Sequence, residues 1–172
     1  MGYLDVLIPG IVLVPQDEIN SCWFASTMMM YNWQKSRGGQ APNPEADKRI
    51  QGAYRANKGL PWASMRMYAE IVGMKSKPLM SPTLDQLAAW LRVGPLWTDG
   101  IPVDWQGNAA GIGHVVVLAG LREIPNSNQA EVFVYDPWPV GRGHFGWRPI
   151  SHLVAIMRAG ADARREVTFL SY

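Results

Sequence analysis

The feature that most constrains this fold is a change of hydrophobic period near Gly94. Before it, apolar residues recur at helical spacing; after it, they form short β-branched or aromatic runs separated by turns. From Cys22 to Lys35, Trp23, Phe24, Thr27, Met28, Met30 and Tyr31 follow the helical period, and Ser36-Arg37-Gly38-Gly39 supplies a glycine stop. Pro44–Asn57 reads as a second helix. Leu60-Pro61 opens a third, running to about Val72 and closed by Gly73. Pro82-Thr83 precedes a fourth, Leu84–Val93, with Leu84, Leu87, Ala88 and Leu91 on one face. In the second half, Gly94-Pro95-Leu96-Trp97 reads as a brief strand leading to a Gly-rich loop, Gly107–Gly113. His114–Ala119 and Glu131–Tyr135 have the composition of strands covered on both faces, with a turn at Pro125-Asn126-Ser127-Asn128. Gly143–Arg148, Ile150–Met157 and Glu166–Leu170 complete the sheet half, with a short helix at Ser151–Met157. The apolar start, Met1–Val14, reads as an extended segment. A helical lobe against an antiparallel sheet is an α+β arrangement. Without a repeat or a linker, the 172 residues read as a single domain, 1–172.

Charge and hydropathy exclude several classes of partner. The net charge is +2, and Lys and Arg are scattered apart from Arg164-Arg165, so no basic face for nucleic acid is expected. No apolar run approaches the roughly 18 residues of a membrane span. The start lacks the basic n-region of a signal peptide and contains Pro9 and Gly10. No membrane partner is expected.

Cys22 is the only cysteine. Alone it can make neither an internal disulfide nor a thiolate zinc site, which leaves a buried thiol or a nucleophile. A lone free thiol also fits a reducing compartment. Taken singly, a Cys on an apolar helix is more often a core residue, and a His heading a strand or an Asp before a proline is more often structural. Their joint placement favours chemistry. Cys22 sits where its helix begins, facing unsatisfied N–H groups and the positive end of the helix dipole. If the turn centres near Pro125-Asn126, facing positions of the hairpin sum to about 250, which sets His114 almost opposite Asp136. Asp136 would then hold the imidazole that serves Cys22. Gln16, six positions upstream, is a candidate oxyanion donor beside the Cys22 backbone N–H. Trp23, Trp97 and Trp138 are candidate cleft residues, although tryptophan suits a core equally well. Gly113, just before His114, would let the chain approach a substrate backbone. His144 is placed to line the site, whereas His152 reads as structural or exposed. A metal held by His114, His144 and Asp136 lacks any supporting spacing, and 107–113 lacks the Lys-Ser/Thr ending of a phosphate loop. Neither metal nor cofactor is expected.

The Gln-x5-Cys-Trp opening, the His heading a strand and the Asp before Pro137-Trp138 resemble a papain-like cysteine peptidase. The compact bacterial branch, which includes secreted effector peptidases and double-glycine leader peptidases, is closer still through "GPLW", "GHVVVLAG" and "VYDPWP". The resemblance spans about Val14 to Pro139. It implies a papain-like fold in which the Cys helix packs on a C-terminal sheet. Cys22 would be the nucleophile, His114 the general base and acid, Asp136 the orienter (papain itself uses Asn) and Gln16 an oxyanion donor. It implies a protein or peptide substrate, with small residues such as Gly-Gly at the cleaved bond. Without disulfides, a recognisable propeptide or a following membrane domain, the expectation is an effector or toxin. It would reach a target-cell cytoplasm by a route that uses no signal peptide, or else act in its own cytoplasm. A toxin would imply a cognate immunity protein. The same groups would also serve a protein deamidase, a transglutaminase-like toxin or a cell-wall amidase. A non-catalytic papain-like binding module is the remaining alternative, against which the presence of all four groups argues.

Overall fold

A computed structural model describes residues 4–78, 81–100, 113–162 and 169–172. Helix α1 (Cys22–Ser36) starts at the cysteine and is buried on most of its circumference, through Trp23, Ala25, Ser26, Thr27, Met29, Met30 and Trp33. A helix with so little polar surface belongs inside a core rather than on top of one. It lies against the sheet and is covered by the shorter helices that follow.

Two of those helices are shorter than their sequence patterns. The segment expected as one helix from Pro44 divides at Asp47 into a 3-10 turn, Pro44–Ala46, and α2 (Lys48–Ala56). Both pieces carry their own cap. Asn43 accepts from the Glu45 N–H, and Asp47 accepts from the N–H groups of Arg49 and Ile50. Likewise Trp62–Ser64 is a 3-10 turn before α3 (Met65–Val72), which Gly73 ends in the left-handed region. A two-residue strand, β2 (Lys75–Ser76), follows. Helix α4 (Leu84–Val93) has the expected limits, set by a capping box between Thr83 and Gln86.

The remaining elements form the sheet: β3 (Leu96–Gly100), β4 (His114–Glu123), β5 (Ala130–Asp136), β6 (His144–Pro149) and β7 (Phe169–Ser171). The strand order is β2-β7-β3-β4-β5-β6, and β1 (Asp5–Leu7) pairs with the far end of β4. Every pairing is antiparallel. Helix α5 (Ile150–Asp162) runs longer than the short helix read from the sequence. The arrangement is α+β and papain-like, with the Cys22 helix packed on an antiparallel sheet. Of the Gly-rich stretch, 107–112 lies outside the described residues, as do 1–3 at the start and 166–168 before β7.

The β4–β5 hairpin differs in register from the arithmetic of its turn. Ile124 and Gln129 are joined by a backbone hydrogen bond, which makes the connection longer and moves its centre toward Ser127. The ladder shifts back by one position between Leu118 and Gly120, where one residue bulges out. Its last pair is Val117↔Tyr135. Continuing the ladder sets Asp136 opposite Val116, one diagonal step from His114 rather than facing it. Diagonal neighbours on one face remain within reach of long side chains.

Candidate active site

Two hydrogen bonds fix the position of Cys22 against the sheet. Ser26, one helical turn beyond it, donates from Oγ to the carbonyl of Val115 at 3.1 Å. Trp97 Nε1 donates to the carbonyl of Trp23 at 3.2 Å. Val115 is the neighbour of His114, and Trp23 the neighbour of Cys22. The helix N-terminus and the head of β4 are therefore held together from both sides. Phe24 and Ala25 donate their N–H groups to the Ser21 carbonyl. The N–H groups of Cys22 and Trp23, in the same turn, have no carbonyl within the helix to accept them.

His114 Nε2 lies 2.7 Å from Asp136 Oδ1, so the carboxylate occupies one ring nitrogen and leaves Nδ1 for Cys22. Burial favours the neutral imidazole. Hydrogen bonds to Asp136 and to Cys22, together with the charges of both, outweigh it and push His114 up to about 10. For Asp136, burial again opposes ionisation. The His114 bond and charge prevail, with help from the Trp138 N–H and His144, and hold the carboxyl below its usual range. The structure thus brings Cys22, His114 and Asp136 into one cluster. A cavity of about 130 Å³ opens beside it, bordered by His114, Asp136 and His144, with Val116, Val134 and Leu153 among its walls.

Gln16 is also nearby, but its amide is occupied. It is 1% exposed. Nε2 donates to the carbonyls of Glu18 at 2.7 Å and Ile19 at 2.9 Å, which uses both amide hydrogens. Its Oε1 is buried without a partner among the described residues. Its backbone joins the loop after Asp136: Gln16 N donates to the Pro137 carbonyl, and Gly141 N donates to the Gln16 carbonyl.

The tryptophans divide. Trp23 is 2% exposed and Trp97 0%, both within the buried core. Trp23 packs edge-on to Tyr68, and the Trp97 indole spends its N–H on the helix backbone. Trp138 is 46% exposed and sits at the Asp136 carboxylate, to which its N–H donates at 2.8 Å. Gly113 is half-buried and immediately precedes β4. His152 is exposed at the start of α5. Among the described residues, no group of three or more His, Cys, Asp or Glu is arranged to hold a metal ion.

Asn57 was not a candidate from sequence, yet it holds the turn before Cys22. Its Oδ1 accepts from Asn20 N, its carbonyl accepts from Asn20 Nδ2, and its Nδ2 donates to Glu18 Oε2. Tyr54 donates to Asp17 in the same turn. The available signal was an Asn at a helix end, followed by Lys58-Gly59, the pattern of a left-handed cap. Nothing local marks which loop such a cap will grip.

A family model described as papain-like cysteine protease AvrRpt2 matches residues 8–147. No curated protein and no solved structure gives a significant match.

Proposed function

The chain belongs to the papain-like cysteine protease family typified by AvrRpt2, and from that premise we propose that it cleaves peptide bonds within a protein substrate using Cys22, His114 and Asp136. Cys22 Sγ, its proton passed to His114, attacks the carbonyl carbon. The C–N bond breaks as His114 returns the proton to the leaving amine, and a thioester remains on Cys22. Water, deprotonated by His114, attacks the thioester and releases the carboxylate and the thiol. The oxyanion takes the Cys22 backbone N–H. Gln16 Nε2 becomes the second donor when it releases the carbonyl of Glu18 or Ile19. The observation that carries this reading is the His114–Asp136 contact at 2.7 Å on an imidazole that Cys22 also engages. Trp138 and Gly113 flank that pair and are our candidates for substrate contact.

The substrate class is a protein or peptide. Likeness to secreted effector peptidases supports an effector or toxin that acts on proteins of a target cell, with small residues at the cleaved bond and an immunity protein in the producer. The test is terminal-residue proteomics on an extract treated with wild type or Cys22→Ala. Wild type should create new protein N-termini that the variant does not. One-dalton shifts without new termini would replace protease by deamidase, and identical digests would remove the catalytic reading.

A further inference from the structure

Asp136 does not face His114 alone. Across the β5–β6 ladder its direct partner is His144. The two carboxylate oxygens have separate tasks. Oδ1 meets His114 Nε2 at 2.7 Å and the Trp138 N–H at 2.8 Å. Oδ2 lies 3.8 Å from His144 Nε2, at ion-pair distance when that ring is protonated. The His144 ring is itself fixed. Its Nδ1 is 2.8 Å from the Trp138 carbonyl, and a carbonyl only accepts, so Nδ1 carries a proton and donates it.

The terminal torsion of an aspartate is broad and two-fold, so nothing intrinsic keeps a chosen oxygen on a chosen partner. A second imidazole on the opposite oxygen removes that freedom. We infer that His144 is a positioning residue of this site: anchored on the Trp138 carbonyl through Nδ1–H, its doubly protonated ring turns Nε2–H toward Oδ2 and holds it so that Oδ1 stays on His114. This rests on the Cys22–His114–Asp136 reading above. The other charged or titratable groups bordering the same cavity are Asp99 of β3, Arg148 of β6 and His152 of α5. A full pH profile therefore informs more than a rate at one pH.

Two variants separate the contacts of His144. Gln places a donor where Nε2 was, toward Asp136. Asn places one only where Nδ1 was, toward Trp138. The probe is iodoacetamide, which reads the Cys22 thiolate without a known substrate, followed from pH 5 to pH 10 on the whole chain alongside thermal melts. Wild type should react at pH 6 at least about ten-fold faster than free cysteine. His144→Asn should lose roughly ten-fold of that rate, with its profile moved toward that of a free thiol. His144→Gln should stay within about three-fold of wild type, and both variants should melt within a few degrees of it. A fast wild type with an equally fast His144→Asn overturns this inference and leaves the triad standing. Equal losses in Asn and Gln variants also overturn it, because the contact toward Asp136 would then be irrelevant. A wild type no faster than free cysteine overturns the triad reading, and this inference with it.

Discussion

His114 is where sequence and charge combine most directly. Its ordinary value is 6.5 and the site pushes it up to about 10, while Asp136 is held below its ordinary 3.8. A raised imidazole stabilises the fold fully below pH 6.5 and loses that contribution as the pH climbs to about 10. A depressed carboxyl contributes above pH 3.8 and loses its share as the pH falls. The pair therefore helps most between roughly pH 4 and 6.5. Asp136→Asn should lower the melting temperature most in that window. Asp136 supplies only part of the rise at His114, so the loss should be on the order of 2 kcal/mol, or roughly 4–8 °C for a chain of this size. The difference from wild type should shrink steadily toward pH 10. Melting curves separated by a constant gap from pH 5 to pH 10 would show that the pair is not what titrates. His114 and Asp136 were legible because a hairpin converts sequence distance into neighbourhood. The burial of Trp23 and Trp97 was not, since a tryptophan beside a nucleophile satisfies either a cleft or a core. Nor was the state of Gln16, whose amide turned out to brace the turn around it.

At the scale of elements, the site depends on how α1 is presented. Helix α1 and strand β4 were both legible, from helical and β-branched patterns. Their mutual latch, Ser26 on the Val115 carbonyl, was not, because hydroxyl-to-backbone bonds leave no periodic trace. The hairpin register missed by one diagonal step because the Ile124–Gln129 bond moves the turn centre toward Ser127, a choice of loop that the turn residues alone do not mark; the bulge near Ala119 recovers one position of that displacement. The turn that leads into α1 is gripped by Asn57, which ends α2 with φ of 47°. Asn tolerates this left-handed conformation, Ala does not, and Gly adopts it freely. Asn57→Ala and Asn57→Gly both remove the side-chain bonds to Asn20 and Glu18, but only Ala adds backbone strain. The Ala variant should be the less stable by about 1 kcal/mol, roughly 2–4 °C. Both should slow Cys22 alkylation by a similar factor, since both release the same turn. A Gly variant with the wild-type alkylation rate would show that the turn keeps its shape without the Asn57 side chain.

Across the whole molecule, neither half contains a complete site. Cys22 stands on a helix from the first half, and His114 and Asp136 stand on strands from the second. The two are joined by backbone as well as side chains: Gln16 bonds to Pro137 and Gly141 in the loop between β5 and β6. Their apolar surfaces are also shared, with Trp23, Met29, Met30, Leu87, Trp97, Val117 and Leu118 belonging to one buried cluster. A divided core with a thin contact would let the halves melt separately; a core shared this way should not. We therefore expect one cooperative transition. Far-UV circular dichroism, which weights the helices, should coincide with fluorescence from tryptophans of both halves, Trp23, Trp33 and Trp90 with Trp97, Trp138 and Trp147. The rapid alkylation expected of Cys22 at low pH on the proposed reading should disappear at the same temperature, because His114 leaves with the sheet. If Cys22 lost its reactivity well below the common midpoint, the site would sit on a locally unfolding segment. Two resolved transitions would instead mean that the helical half and the sheet fold as separate units, contrary to the single-domain reading.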